Sequence, residues 1–215
     1  MTETWLRGKV TPTWVNHDYT NLDYVHKEAH YLDIEKWKKQ GFDYKTYTGN
    51  MFADQNKMPS WVHKVAKQIG LTDCGFTFYQ MKPGVVMPRH VDHFEKYCQI
   101  YNVERKDVYR AIVALEDWQN GHYFEILNHI VNAYSKGDYI LWSSGIPHAA
   151  ANLGLTTRYT LQITGKLISP WFITSSFFKK QLTNAVDVLL YMYSLNKCTD
   201  VNKEGIHNGY FNTHS

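Results

Sequence analysis

His90-Val91-Asp92 places an imidazole and a carboxylate two residues apart. On a strand, side chains at i and i+2 share a face, so the two groups could reach one ion from the mouth of a barrel. A third ligand must come from elsewhere, and His148 in Ser143-Ser144-Gly145-Ile146-Pro147-His148 is the best candidate. It follows the apolar stretch 139–142 in a turn of small residues that lets the backbone approach a metal. Two histidines and one carboxylate on one face leave coordination positions open, the donor set of non-haem Fe(II) sites. His93 is a rival ligand, but on a strand it would point away from Asp92, which suits a supporting role better.

A second pair strengthens this one. Arg158 lies ten residues after His148, and Thr160 follows at i+2 on the same face of an apolar strand. A guanidinium forks onto a carboxylate and a neighbouring hydroxyl adds a further hydrogen bond, so Arg158 and Thr160 suit the distal carboxylate of a 2-oxo acid. Arg110 interrupts the apolar run 109–115 and needs a partner if buried. That partner is either a carboxylate of a small molecule or one of Glu116, Asp117 and Glu125. Tyr79, Phe78, Trp118 and Trp142 could line a pocket or simply fill the core. Asn152 could support the loop after His148 through backbone hydrogen bonds, while His122 and His129 read as surface or packing histidines.

These groups need a scaffold. The chain of 215 residues is long enough to bury a core without disulfides or structural metals. Hydrophobic content of 44% and charged content of 20% exclude disorder, collagen and coiled coil. No apolar run is long enough to span a membrane. The first residues lack a secretory pattern, so a cytoplasmic location is expected. Cys74, Cys98 and Cys198 form no C-x-x-C motif, and nothing marks Cys98 as a nucleophile. A net charge of +3, scattered along the chain, does not point to nucleic acid.

Short β-rich runs at 75–81, 109–115, 122–126, 139–142 and 158–165, with turn residues between them, predict a sandwich or jelly roll. Helices are expected around 30–39, at 59–70 with Gly70 as its stop, and around 176–194. The expected layout is a single domain: an N-terminal extension over 1–58, a helix plus jelly-roll core over 59–165, and a helical extension over 166–215. The amphipathic stretch 177–193 packs on the barrel by default, with a homodimer contact as the alternative.

The order His90-x-Asp92, His148, Arg158-x-Thr160, with 58 positions between the two histidines, resembles the Fe(II)/2-oxoglutarate-dependent oxygenases. The stretch 145–165 also resembles oxygenases encoded by large tailed bacteriophages. The spacing from Asp117-Trp118 to His148 is loosely similar to the aspartyl/asparaginyl β-hydroxylase branch. The resemblance covers about 75–165. It implies a mostly β, cupin-like fold, the double-stranded β-helix, with flanking helices. It also implies iron on His90, Asp92 and His148, 2-oxoglutarate on Arg158 and Thr160, and dioxygen as co-substrate. Arg110, Tyr79 and Trp142 then become substrate-binding candidates, and the implied reaction is hydroxylation of a C–H bond in a small molecule or a peptide or protein residue. Two other classes stay open. A metal cupin acting as an isomerase or another kind of dioxygenase would need the triad but not Arg158 and Thr160. A non-catalytic binding module would tolerate a broken triad, and none of the five positions is broken here.

Overall fold

The computed structural model describes residues 5–14, 18–29, 31–42 and 49–168. The expected C-terminal helix, its dimer contact and Cys198 lie outside these residues. In chain order the elements are β1 (Trp5–Lys9), β2 (Val25–His26), α1 (Tyr31–Lys39), β3 (Asn50–Phe52), α2 (Trp61–Ile69), β4 (Leu71–Met81), β5 (Val86–His90), α3 (Glu95–Tyr101), β6 (Tyr109–Ala114), β7 (His122–Ile126), β8 (His129–Ile130), β9 (Asp138–Ser143), β10 (His148–Asn152) and β11 (Arg158–Leu167).

The strands form two antiparallel sheets. The larger runs β1-β9-β6-β11-β4-β3-β2 and the smaller β5-β10-β7-β8. From β4 onwards the chain passes back and forth between the sheets, and β4, β6, β9 and β11 face β5, β7, β8 and β10. This is a double-stranded β-helix, a jelly roll of the cupin kind. No helix among the described residues is long and apolar enough to cross a membrane.

Strand β11 shows how the sequence builds both faces. Leu161 and Ile163 are fully buried in the outer core, while Arg158, Thr160 and Thr164, at the alternate positions, are buried towards the barrel interior. Pairing with β4 is unbroken from Arg158 opposite Met81 to Thr164 opposite Gly75; a bulge in β4 follows, with Asp73 and Cys74 together opposite Gly165, before Lys166 opposite Thr72. Gly165 sits where a Cβ would come within 2.9 Å of the Thr72 carbonyl oxygen, so a side chain does not fit there. The outer core lies against α2, whose Trp61, Val62, Val65, Ala66 and Ile69 form one buried stripe. Gly70 ends that helix in the left-handed conformation (φ 85°), its N–H reaching the carbonyls of Ala66 and Lys67.

Several expectations need correction. The described residues of the N-terminal extension pack into the fold: β1 pairs along β9, β3 along β4, and Trp14 and Tyr19 are buried in the core. His148 does not sit in a turn but opens β10, where Ala149-Ala150-Ala151 form a strand. Alanine has little strand preference, and hydrogen bonding to β5 on one side and β7 on the other overrides it. Asp92 is not on a strand with His90, because β5 ends at His90. Strand β4 starts at Leu71 rather than 75, and α3 had no sequence expectation at all.

Candidate metal centre

His90, at the end of β5, and His148, at the start of β10, are cross-strand partners with ring centroids 4.4 Å apart. Each ring is held by a backbone carbonyl two residues earlier. His90 Nδ1 lies 2.8 Å from the Pro88 oxygen and His148 Nδ1 3.0 Å from the Ile146 oxygen. A carbonyl can only accept, so each Nδ1 carries the hydrogen and each Nε2 presents a lone pair.

Asp92 completes the set from the loop after β5. It is 8% exposed. Its Oδ1 pairs with Arg110, and its Oδ2 lies 3.6 Å from His148 Nε2 with no hydrogen-bond partner. Ligand atoms of the three residues all fall within 4.8 Å of one another. The loop is fixed from several sides. Arg105 donates to the Asp92 carbonyl at 2.8 Å and to Ser144 Oγ at 2.9 Å. Trp37 of α1 donates to the Arg89 carbonyl at 3.2 Å and stands edge-on to the His90 ring, 6.0 Å away. Asp33 of the same helix lies 3.4 Å from His93 Nε2, so the carboxylate that His93 contacts is not Asp92.

The protonation states suit a cation. Burial, aided by the neighbouring His148, pushes His90 down to about 4, and burial likewise lowers His148. Burial alone would raise Asp92, but the Arg110 charge and the two imidazoles more than offset it, and the carboxyl sits below its usual range. At neutral pH the site therefore offers two neutral imidazoles and one carboxylate, the forms that ligate a metal. A divalent ion fits these residues. It would sit among three converging donors and give the orphaned Asp92 Oδ2 the partner a buried acceptor requires.

The triad lines a narrow inner cavity of about 50 Å³ together with Tyr79, Arg158 and Thr160. Arg158 is 6% exposed. It donates to the Tyr123 carbonyl at 3.0 Å and lies near the Tyr134 and Phe124 rings, yet it has no carboxylate partner among the described residues and its Nε is buried without a hydrogen bond. Asn152 holds the turn before it, donating to the Met81 and Thr156 carbonyls at 2.7 and 2.8 Å and accepting from Gly154 N–H. His122 is a packing histidine, buried against Tyr134 and Thr156; His129 is exposed and touches Trp5.

Arg110 pairs with none of Glu116, Asp117 and Glu125. Its partner is Asp92, and its Nη2 also donates to Thr164 Oγ1 at 3.2 Å. The Phe94 ring covers it at 4.7 Å. Trp142 lines neither the inner cavity nor the groove outside it; it is 1% exposed and packs 4.8 Å from the His148 ring. Two contributors escaped the sequence reading. Trp37 carried no local signal. Gln162 did: it continues the polar alternation 158, 160, 164 along β11 and lines the inner cavity.

No protein-family model matches the chain, and no curated protein matches it. Among solved structures, the chain is similar to a prolyl-4-hydroxylase from Pseudomonas putida at 16% identity, over 77% of this chain and 94% of that one, with a TM-score of 0.46. It is similar to a non-haem α-ketoglutarate-dependent carbocyclase from nogalamycin biosynthesis at 13% identity, over 62% and 71%, with a TM-score of 0.42. A predicted oxalate decarboxylase from Thermotoga maritima gives 17% identity, over 55% and 80%, and 0.34. None of the three is a phage protein or an aspartyl/asparaginyl hydroxylase.

Proposed function

We propose that the chain is a non-haem Fe(II)/2-oxoglutarate-dependent dioxygenase that hydroxylates a C–H bond of a peptide or protein residue or of a small molecule in the cytoplasm. One observation carries this reading. A single cavity holds a carboxylate oxygen facing two imidazoles and, on another wall, a buried guanidinium, the first without a hydrogen-bond partner and the second without a carboxylate among the described residues. The first arrangement suits a divalent cation and the second an anion, and 2-oxoglutarate is a ligand that binds both.

His90 Nε2, His148 Nε2 and one oxygen of Asp92 would hold Fe(II). Arg158 and Thr160 would hold the distal carboxylate of 2-oxoglutarate. When bound, iron and 2-oxoglutarate supply oxidative decarboxylation by dioxygen, which yields succinate, carbon dioxide and a hydroxylated product. The protein's own part is positional. The carbonyls of Pro88 and Ile146 fix the tautomer and aim of both imidazoles. Arg110 occupies Asp92 Oδ1 and so leaves Oδ2 for the ion. Tyr79 and the rings beside Arg158 narrow the space and keep bulk water from it.

The test is anaerobic titration of metal-free protein with Fe(II) and then 2-oxoglutarate, following the weak visible charge-transfer band of the chelate. The band should form with wild type and disappear in His148→Ala and Arg158→Ala, while Arg158→Ala still binds iron. Iron binding with no band in wild type would transfer the chain to the cupins that use no 2-oxo acid. Failure to bind iron would end the metal reading.

A further inference from the structure

Outside the triad a second, larger space of about 660 Å³ opens to the surface. His90, Asp92, Arg110 and Gln162 line both it and the inner cavity, so the two meet at the triad. A volume of this size lies within the range that holds drug-sized ligands, whereas the inner cavity suits only a small one.

The floor of the groove is the inner face of three adjacent strands. Gln162 stands opposite Thr77 of β4 and Ile112 of β6, and Thr164 stands opposite Gly75 and Arg110. Gly75 contributes no side chain, and a Cβ there would meet nothing within 4 Å, so the floor is open above it. The Gln162 carboxamide and the Thr77 hydroxyl make no hydrogen bond to any described residue. One wall is aromatic. Phe94, Tyr97 and Tyr101 line it, the two tyrosine rings lie 4.6 Å apart, and their hydroxyls are anchored on the carbonyls of Asp73 and Cys74.

The charges narrow the choice of occupant. Arg110 is matched by Asp92, and Lys27 and Lys96 are matched in number by Asp33 and Glu95. A groove whose described lining carries no excess cation does not select a phosphate or a polyanion. An alkyl chain on this floor would leave the carboxamide without a partner, at the cost of an unmade hydrogen bond. A group that both donates and accepts satisfies it.

We infer that the groove takes a segment of polypeptide as the primary substrate, with Gln162 and Thr77 hydrogen-bonding to one of its peptide groups. The aromatic wall packs against the neighbouring side chains and holds one C–H bond at the triad. Gln162 is then the residue that selects an amide-bearing substrate, and it does so next to, but separately from, the Arg158 end. This inference rests on the reading of the triad and Arg158 given above.

The test uses the full chain loaded with Mn(II) and 2-oxoglutarate. The probes are capped pentapeptides, N-acetylated and C-amidated, with varied central residues, and paramagnetic relaxation of their protons reports approach to the metal. Peptide relaxation should appear in wild type and fall by about fivefold or more in both Gln162→Leu and Thr77→Val, the loss of one good hydrogen bond. The relaxation of 2-oxoglutarate should be unchanged in both variants, which also shows that they fold. The inference is overturned if wild type relaxes 2-oxoglutarate but no peptide, or if nucleotides or oligosaccharides are relaxed in place of peptides. It is equally overturned if the variants relax peptides as wild type does, or if they lose 2-oxoglutarate, since these groups would then serve the cosubstrate. If wild type fails to relax 2-oxoglutarate itself, the reading of the site fails first and this inference falls with it.

Discussion

The inner cavity is lined by two arginines on strands of the larger sheet, Arg110 partly buried and Arg158 deeply buried, and they stand in opposite electrical situations. At the metal end Arg110 is matched by Asp92, bridged to Thr164 and covered by Phe94. At the other end Arg158 has one backbone carbonyl, two rings nearby and no carboxylate among the described residues. A buried charge without a counter-charge is costly. Among the described residues that cost is met for Arg110 and left standing for Arg158. The contrast separates a residue whose counter-charge the protein supplies from one that, on the function proposed above, takes its carboxylate from a ligand.

Three experiments put that contrast at risk. The largest effect is expected at Arg110. Arg110→Met removes the counter-charge of a carboxylate that stays buried, so the metal-free protein should lose about 3–5 kcal/mol in urea unfolding. Added Mn(II) should restore more stability to this variant than to wild type, because the ion replaces the missing positive charge. Equal gains in the two proteins would make Arg110 a packing residue only.

Arg158→Ala should behave in the opposite way. Affinity for 2-oxoglutarate, measured calorimetrically with Mn(II) present, should fall by roughly 100-fold, or ~3 kcal/mol. Metal affinity should hold, and the urea midpoint should stay level or rise because no ion pair is broken. A marked loss of stability would show that Arg158 is neutralised within the protein after all.

The third effect is spread over pH. His90 titrates near 4 in the folded protein and near 6.5 when unfolded. Between those values the unfolded chain binds the extra proton, so stability of the metal-free protein falls as pH drops from about 6.5 to about 4, by roughly 2–3 kcal/mol from this group. His148 and His122, both lowered by burial, act in the same direction. Asp92, also lowered, adds a loss that comes as pH falls through its folded value. Urea midpoints across pH 4–7 should slope accordingly in wild type and less steeply in His90→Gln. Identical slopes would mean that His90 is not held neutral by burial.

Much of the site could be read along the chain because metal and carboxylate recognition accept few residue types, and their order fixes the pattern. His90, Asp92, His148, Arg158 and Thr160 line one cavity, as their spacing suggested. Strands with regular alternation, β7 and β11 above all, lie within two residues of where the sequence puts them. What could not be read is what depends on distant partners. The bond from Arg110 to Asp92 joins residues 18 positions apart through the closure of the barrel. Trp37 reaches Arg89 across 52 positions and appears in the sequence only as one more aromatic in a polar segment. The alanine strand β10 is a strand because β5 and β7 flank it, which no local propensity reveals.

Strand β11 carries two inventories in one reading frame: cavity groups on even positions and core leucine and isoleucine on odd ones. Pairing with β4 runs unbroken from Arg158 to Thr164, and the bulge in β4, where two residues stand opposite Gly165, comes only after the last cavity residue. The bulge acts as an expansion joint. An inserted or deleted residue beyond it can be absorbed without disturbing the site, whereas the same change within 158–164 would exchange the two inventories and put Arg158 into the leucine core. A change of chain length along this strand is therefore tolerated only at its far end, and the half that lines the cavity can vary by substitution alone.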